Sequence, residues 1–104
     1  PDLEKWRPES DAFSVMLELE IGPKNRHDSE VFYLEVISTK ALAAHVADEG
    51  LLFGRGFLVM DTFSYSKLVD FIERWCAGTH GKTWEEMVEK LSRYAAYEFL
   101  DYVK

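Results

Sequence analysis

Phe13-Ser14-Val15-Met16-Leu17-Glu18-Leu19-Glu20-Ile21 decides the fold. Phe13, Val15, Leu17, Leu19 and Ile21 alternate with Ser14, Met16, Glu18 and Glu20. Successive side chains of an extended chain point to opposite faces, so this period of two is a strand with one face in a core and one in water. Val31 to Ser38 repeats the pattern, with Phe32, Leu34 and Val36 on one face and Tyr33 and Glu35 on the other. Between them, Gly22-Pro23-Lys24-Asn25-Arg26-His27-Asp28-Ser29 is a polar turn. Two such strands joined this way predict an antiparallel hairpin with a long loop.

The period changes after the hairpin. Thr39 can cap a short helix through Glu49, with Ala41, Leu42, His45 and Val46 inward and Gly50 as its stop. Gly54-Arg55-Gly56 is a turn, and Phe57 to Phe63 reads as a third strand. Its run Phe57-Leu58-Val59-Met60 is nearly continuous, which predicts burial on both faces or a central position. Ser64 or Ser66 caps a second helix to Ala77, with Leu68, Val69, Ile72, Trp75 and Cys76 as its stripe and Gly78 as its end. Thr83 with Glu86 forms a capping box. From there Trp84, Met87, Val88, Leu91, Ala95 and Phe99 keep helical spacing, which predicts a third helix running toward Tyr102. The expected order is β-β-α-β-α-α, an α+β fold with a small, mainly antiparallel sheet and helices packed on one face. Residues 1–11 carry two prolines and mixed charges and read as a loose N-terminal arm; 12–104 form a single domain.

At 104 residues the chain can bury a core without metal or disulfide staples. A single cysteine, Cys76, rules out an intramolecular disulfide and fits a reducing compartment. No apolar run approaches the roughly 20 residues that span a bilayer. The first residues lack the apolar core of a secretion signal, so the expected location is cytoplasmic, with no membrane partner. The formal net charge of −7 repels phosphates, which argues against nucleic acid and for a basic protein partner.

The residues also argue against resident chemistry. His27, His45 and His80 sit in separate segments without partners at ligand spacing, so no metal or other cofactor is expected. Cys76 lies on an apolar helix stripe beside Trp75, the setting of a packed thiol. Gly54-Arg55-Gly56 lacks the third glycine and following helix of a phosphate loop. Glu98 and Asp101 stand three apart on a helix and can share a face, but nothing else builds a substrate site around them. No catalytic residue is assigned, and an enzyme is not expected. With one sheet face covered by helices, the other displays Met16, Glu18, Glu20, Tyr33, Glu35 and Asp61. Two readings of that acidic face stand: a solvated outer surface, or a site where a cationic partner relieves the repulsion between neighbouring carboxylates.

With these residues in view, the chain resembles the immunity protein 8 family of bacterial polymorphic-toxin and contact-dependent growth inhibition systems. The likeness covers about residues 12–102. It rests on Phe13 through Ile21 followed by Gly22-Pro23, Phe32-Tyr33-Leu34-Glu35-Val36, Leu52-Phe53-Gly54-Arg55, Thr83-Trp84-Glu85-Glu86 and Glu98-Phe99-Leu100-Asp101-Tyr102. The resemblance implies a cytosolic antidote, a monomer that binds the C-terminal domain of its cognate toxin one-to-one and blocks the active site or substrate approach. Such toxins are often nucleases with basic surfaces, which an acidic inhibitor complements. The preferred toxin contacts are Glu18, Glu20, Tyr33, Glu35 and Asp61, while Trp84, Phe99 and Tyr102 read as packing. An acidic secretion chaperone or adaptor is the competing interaction-protein reading.

Overall fold

The computed structural model describes residues 2–23 and 29–98. It is an α+β fold in which β1 (Ser14–Ile21), β2 (Glu30–Ser38), α1 (Thr39–Glu49), β3 (Phe57–Met60), α2 (Tyr65–Ala77), α3 (Trp84–Leu91) and β4 (Ala96–Tyr97) follow in order. The hairpin forms as its alternation requires, with Val15 opposite Val36, Leu17 opposite Leu34 and Leu19 opposite Phe32. Those residues make the inner face. Phe32, Leu34, Leu91 and Ala95 form one buried cluster with Trp75, Trp84 and Val88 packed around it. Phe13, Val36 and Leu68 form a second, closed by Leu58, Met60 and Phe63. Thus α2 and α3 cover the inner face.

The sheet is mainly antiparallel, as expected: β1 and β4 run antiparallel to β2, while β3, whose direction the sequence leaves open, runs parallel to it. The parallel pair follows from α1, which crosses from the end of β2 back to the start of β3. The central strand is β2, not β3. β2 is paired on both sides and ends in three buried residues, whereas β3 spans only Phe57–Met60 and leaves Val59 42 % exposed. Against expectation, the helices do not all share a face. α1 lies against β2 and β3, and His45 meets the ring of Phe57. Phe57 sits level with Glu35, so it belongs to the outer face, as does Ile37, which is only 2 % exposed. α1 therefore roofs one end of the outer face.

The third helix is shorter than its apolar spacing predicts. It ends at Leu91, and Ala96–Tyr97 is extended and pairs with Phe32 and Tyr33. The Ser92 hydroxyl donates to the Val88 carbonyl at 2.6 Å, competing with continuation of the helix. Because β3 begins only at the level of Glu35, the backbone of β2 at Phe32 and Tyr33 would otherwise be buried without partners, which is costly. β4 supplies them. Arg55 then takes up carbonyls at the helix end, its Nε donating to Ser92 O at 2.7 Å and its Nη2 to Ala95 O at 3.2 Å. The expected continuation through Phe99 and Tyr102 lies outside the described residues, as does most of the loop from Lys24 to Asp28.

Caps form close to where the sequence puts them. Thr83 Oγ1 accepts from Glu86 N at 3.1 Å, while Glu86 reaches back to Lys82 N rather than to Thr83. Ser64 caps α2. At α1 the cap is Ser38, not Thr39. The Ser38 side chain is fully buried, and its Oγ accepts from Phe13 N at 3.0 Å and Ala41 N at 3.1 Å, tying β1 to the helix start. Ser38→Ala is expected to cost about 2 kcal/mol, because it removes a cap and leaves the buried Phe13 N–H without an acceptor. A urea unfolding midpoint checks this, and a loss typical of an exposed serine would show that water replaces the hydroxyl. The segment ahead of β1, expected as a loose arm, packs Leu3 and Trp6 on the second cluster, with the Trp6 ring edge-on to Phe63 at 4.9 Å.

Candidate functional site

The register brings four of the five expected contact residues to one place. On the outer face, Met16 lies opposite Glu35, Glu18 opposite Tyr33, and Glu20 opposite Val31. Directly opposed side chains sit about 5 Å apart and diagonal ones about 7–8 Å apart. Glu18, Glu20 and Glu35 therefore form a compact acidic group around Tyr33. Because α1 roofs the Ile37 and Phe57 end, this half of the face is the open one. Met16 is 54 % exposed there, and Glu18 and Glu20 are fully on the surface side of β1.

Asp61 does not join them. β3 ends at Met60, which pairs with Ser38, and Asp61 Oδ1 turns back to accept from Thr62 N at 2.7 Å. The span from Tyr33 to Ser38 is about 17 Å of strand at 3.3 Å per residue. Asp61 thus lies beyond the α1 end of the sheet, away from the acidic group. The sequence placed it on the same face because it read the third strand three residues too long.

Among the described residues the ion pairs join Lys40 to Asp11, Arg74 to Asp70, Lys90 to Glu86 and Arg93 to Glu89. None involves Glu18, Glu20 or Glu35. Glu35 accepts from the Ser14 hydroxyl at 2.5 Å, which pins its carboxylate over β1. Such a surface offers carboxylates to cations and apolar and aromatic area to a group that excludes water. Its carboxylates stand on an exposed sheet face.

Other titratable groups have structural surroundings. Burial pushes the Cys76 thiol above its usual range, which makes it a poor nucleophile. The Tyr97 phenol is also raised, first by burial, then by its 2.9 Å hydrogen bond to Glu30 and the charges of Glu30 and Glu98. His45 packs edge-on to Phe57. Among the described residues no three His, Cys, Asp or Glu side chains gather as a metal site. Asp101, the expected neighbour of Glu98, lies outside the described residues. An apolar hollow of about 450 Å³ among the described residues is lined by Leu34, Leu58, Ile72, Trp75 and Tyr94, with Arg74 as its one charged group. Within the described residues no helix is long and apolar enough to cross a membrane.

Leu52-Phe53, quoted above only for the family likeness, belong to a surface run whose exposure the sequence reading did not foresee. Leu51, Leu52 and Phe53 are exposed by 76, 44 and 95 %. Three successive large apolar residues bounded by Gly50 and Gly54, outside any helical or strand period, were the signal available.

A family model described as immunity protein 8 matches residues 1–102. No curated protein and no solved structure matches the chain.

Proposed function

The chain belongs to the immunity protein 8 family, and from that membership we propose that it neutralises a basic nuclease toxin by covering its active site or the approach of its substrate. It acts in the cytoplasm, as a monomer bound one-to-one to the toxin's C-terminal domain, within a contact-dependent or related polymorphic-toxin system. The observation that carries this reading is the clustering of Glu18, Glu20 and Glu35 around Tyr33 on the unroofed half of the sheet. A nuclease must hold phosphates, so its working surface is cationic. Carboxylates held on a rigid sheet can occupy that surface in place of phosphates. The net charge of −7 speeds the encounter over distances set by the Debye length, about 8 Å at physiological salt. Met16, Val31 and Tyr33 supply the apolar and aromatic centre that such interfaces desolvate. Asp61 stands outside this proposed contact. No bond is made or broken by the antidote; occlusion is sufficient.

Growth rescue with co-purification tests the reading. The toxin C-terminal domain encoded beside this gene is expressed with and without the chain. Restored growth together with a stable one-to-one complex is the expected outcome. If growth is not restored while both proteins are folded and soluble, the antidote reading fails and the adaptor or chaperone reading takes its place.

A further inference from the structure

The exposed triplet Leu51-Leu52-Phe53 sits between two hydrogen-bonded ends. Gly50 ends α1 with φ 84°, its N–H bonded to Val46 O, and Gly56 enters β3 with φ 90°. Both are left-handed conformations that glycine adopts without strain. Gly56 N donates to Tyr94 O at 2.9 Å, and Gly56 O accepts from Glu35 N at 2.8 Å. The Arg55 side chain spans to Ser92 O and Ala95 O. The loop is thus bonded at one end to the sheet and to the α3–β4 turn, and at the other to α1. The Phe53 side chain adds little to the fold, since it is 95 % exposed. Runs of exposed large apolar residues are avoided in soluble domains unless they serve a purpose. A fixed base lowers the entropy lost on docking, which is what an interface anchor requires.

Its surroundings select the occupant. Asp48 and Glu49 are exposed immediately before the loop, and Glu35 lies beside its base at the border of the open acidic half-face. An anionic lipid surface would be repelled by that rim. A second copy docked through a twofold axis would set acid against acid. A cationic protein surface with an apolar hollow satisfies both parts.

We propose that Leu51, Leu52 and Phe53 form an apolar plug that seats in a hydrophobic pocket of the toxin domain, with Phe53 as its anchor and the neighbouring carboxylates engaging the cationic rim. This deepens the antidote reading and rests on it. The acidic half-face governs how fast the two proteins meet, and the plug governs how long they stay together.

The test uses the full chain and the toxin domain encoded beside its gene, carrying an inactivating substitution, with association and dissociation followed by biolayer interferometry. Phe53→Ala is expected to weaken binding about 30-fold or more, as an aromatic anchor does. The loss should fall on dissociation, leaving the salt dependence of association and the thermal midpoint of the free protein unchanged. Phe53→Leu should recover most of the affinity, and Phe53→Glu should lose more than alanine does. Wild-type binding with both Phe53→Ala and Phe53→Glu within about threefold would overturn the plug while leaving the antidote reading intact. Absence of wild-type binding would overturn both. A wild-type dimer in sedimentation that Phe53→Ala dissolves would also overturn the proposal, assigning the plug to a second copy.

Discussion

Phe32→Ala is expected to remove about 4 kcal/mol of stability, a large share of the 5–15 kcal/mol that domains of this kind have. Phe32 is fully buried, in the cluster where β1, β4, α2 and α3 meet β2. It lies opposite Leu19 on β1 and Tyr97 on β4, stacks on the Tyr97 ring at 5.2 Å, and packs with Leu91 and Ala95 at the end of α3. Truncation loses the ring's transfer energy and leaves a cavity that neighbours on three strands and a helix cannot collapse into. For a chain of this length the thermal midpoint should drop by roughly 15–25 °C. Phe32→Leu should cost far less. A cycle with Tyr97→Ala separates burial from ring stacking, with a coupling of about 1 kcal/mol expected for the pair. A loss below about 1.5 kcal/mol for Phe32→Ala would show that the cluster relaxes around the gap and that β2 is not the keystone strand.

What the sequence makes legible is local. β1 and β2 are readable because alternation over Phe13 to Ile21 and Val31 to Ser38 needs no tertiary information. α2 is readable because Ser64, an apolar stripe and Gly78 agree with one another. The errors come from tertiary context. Ala95-Ala96 favours helix by propensity, yet the unpaired edge of β2 at Phe32 and Tyr33 draws Ala96 and Tyr97 into a strand. The apolar run at Phe57 to Met60 left burial on both faces or a central position open, and only tertiary structure decides: β3 lies at an edge, with α1 against one face and α2 against the other. Trp6 gave no periodic signal, and only the rings of Phe13 and Phe63 explain its place. The same division holds at the site. Parity alone puts Glu18, Glu20, Tyr33 and Glu35 on one face, whereas the roofing by α1 that isolates Asp61 depends on a crossover no local pattern reports.

Reversing Glu18, Glu20 and Glu35 together to lysine should abolish the antidote at the salt of the cell. Each reversal changes the charge by two, so the three take the formal net charge from −7 to −1 and place three cations where the toxin's own would dock. Close charge pairs at such interfaces couple by about 1.5–7 kcal/mol, so an affinity loss of about 1,000-fold or more is expected. Isothermal titration against the inactivated toxin domain measures it. The salt response carries the diagnosis. Wild-type binding should weaken as salt rises, while residual binding by the reversed protein should lose that dependence or invert it. The free protein should hold its thermal midpoint within a few degrees, since no described ion pair involves these carboxylates and three clustered lysines repel one another as the carboxylates did. Neutralisation to glutamine should fall between the two in affinity. Carboxylates that served only for solubility would leave the dissociation constant unchanged in both variants, and that outcome would remove the open half-face from the interface. A reversal that costs affinity while the fold holds puts these three carboxylates at the interface, where a cationic partner relieves on binding the repulsion that the free sheet bears.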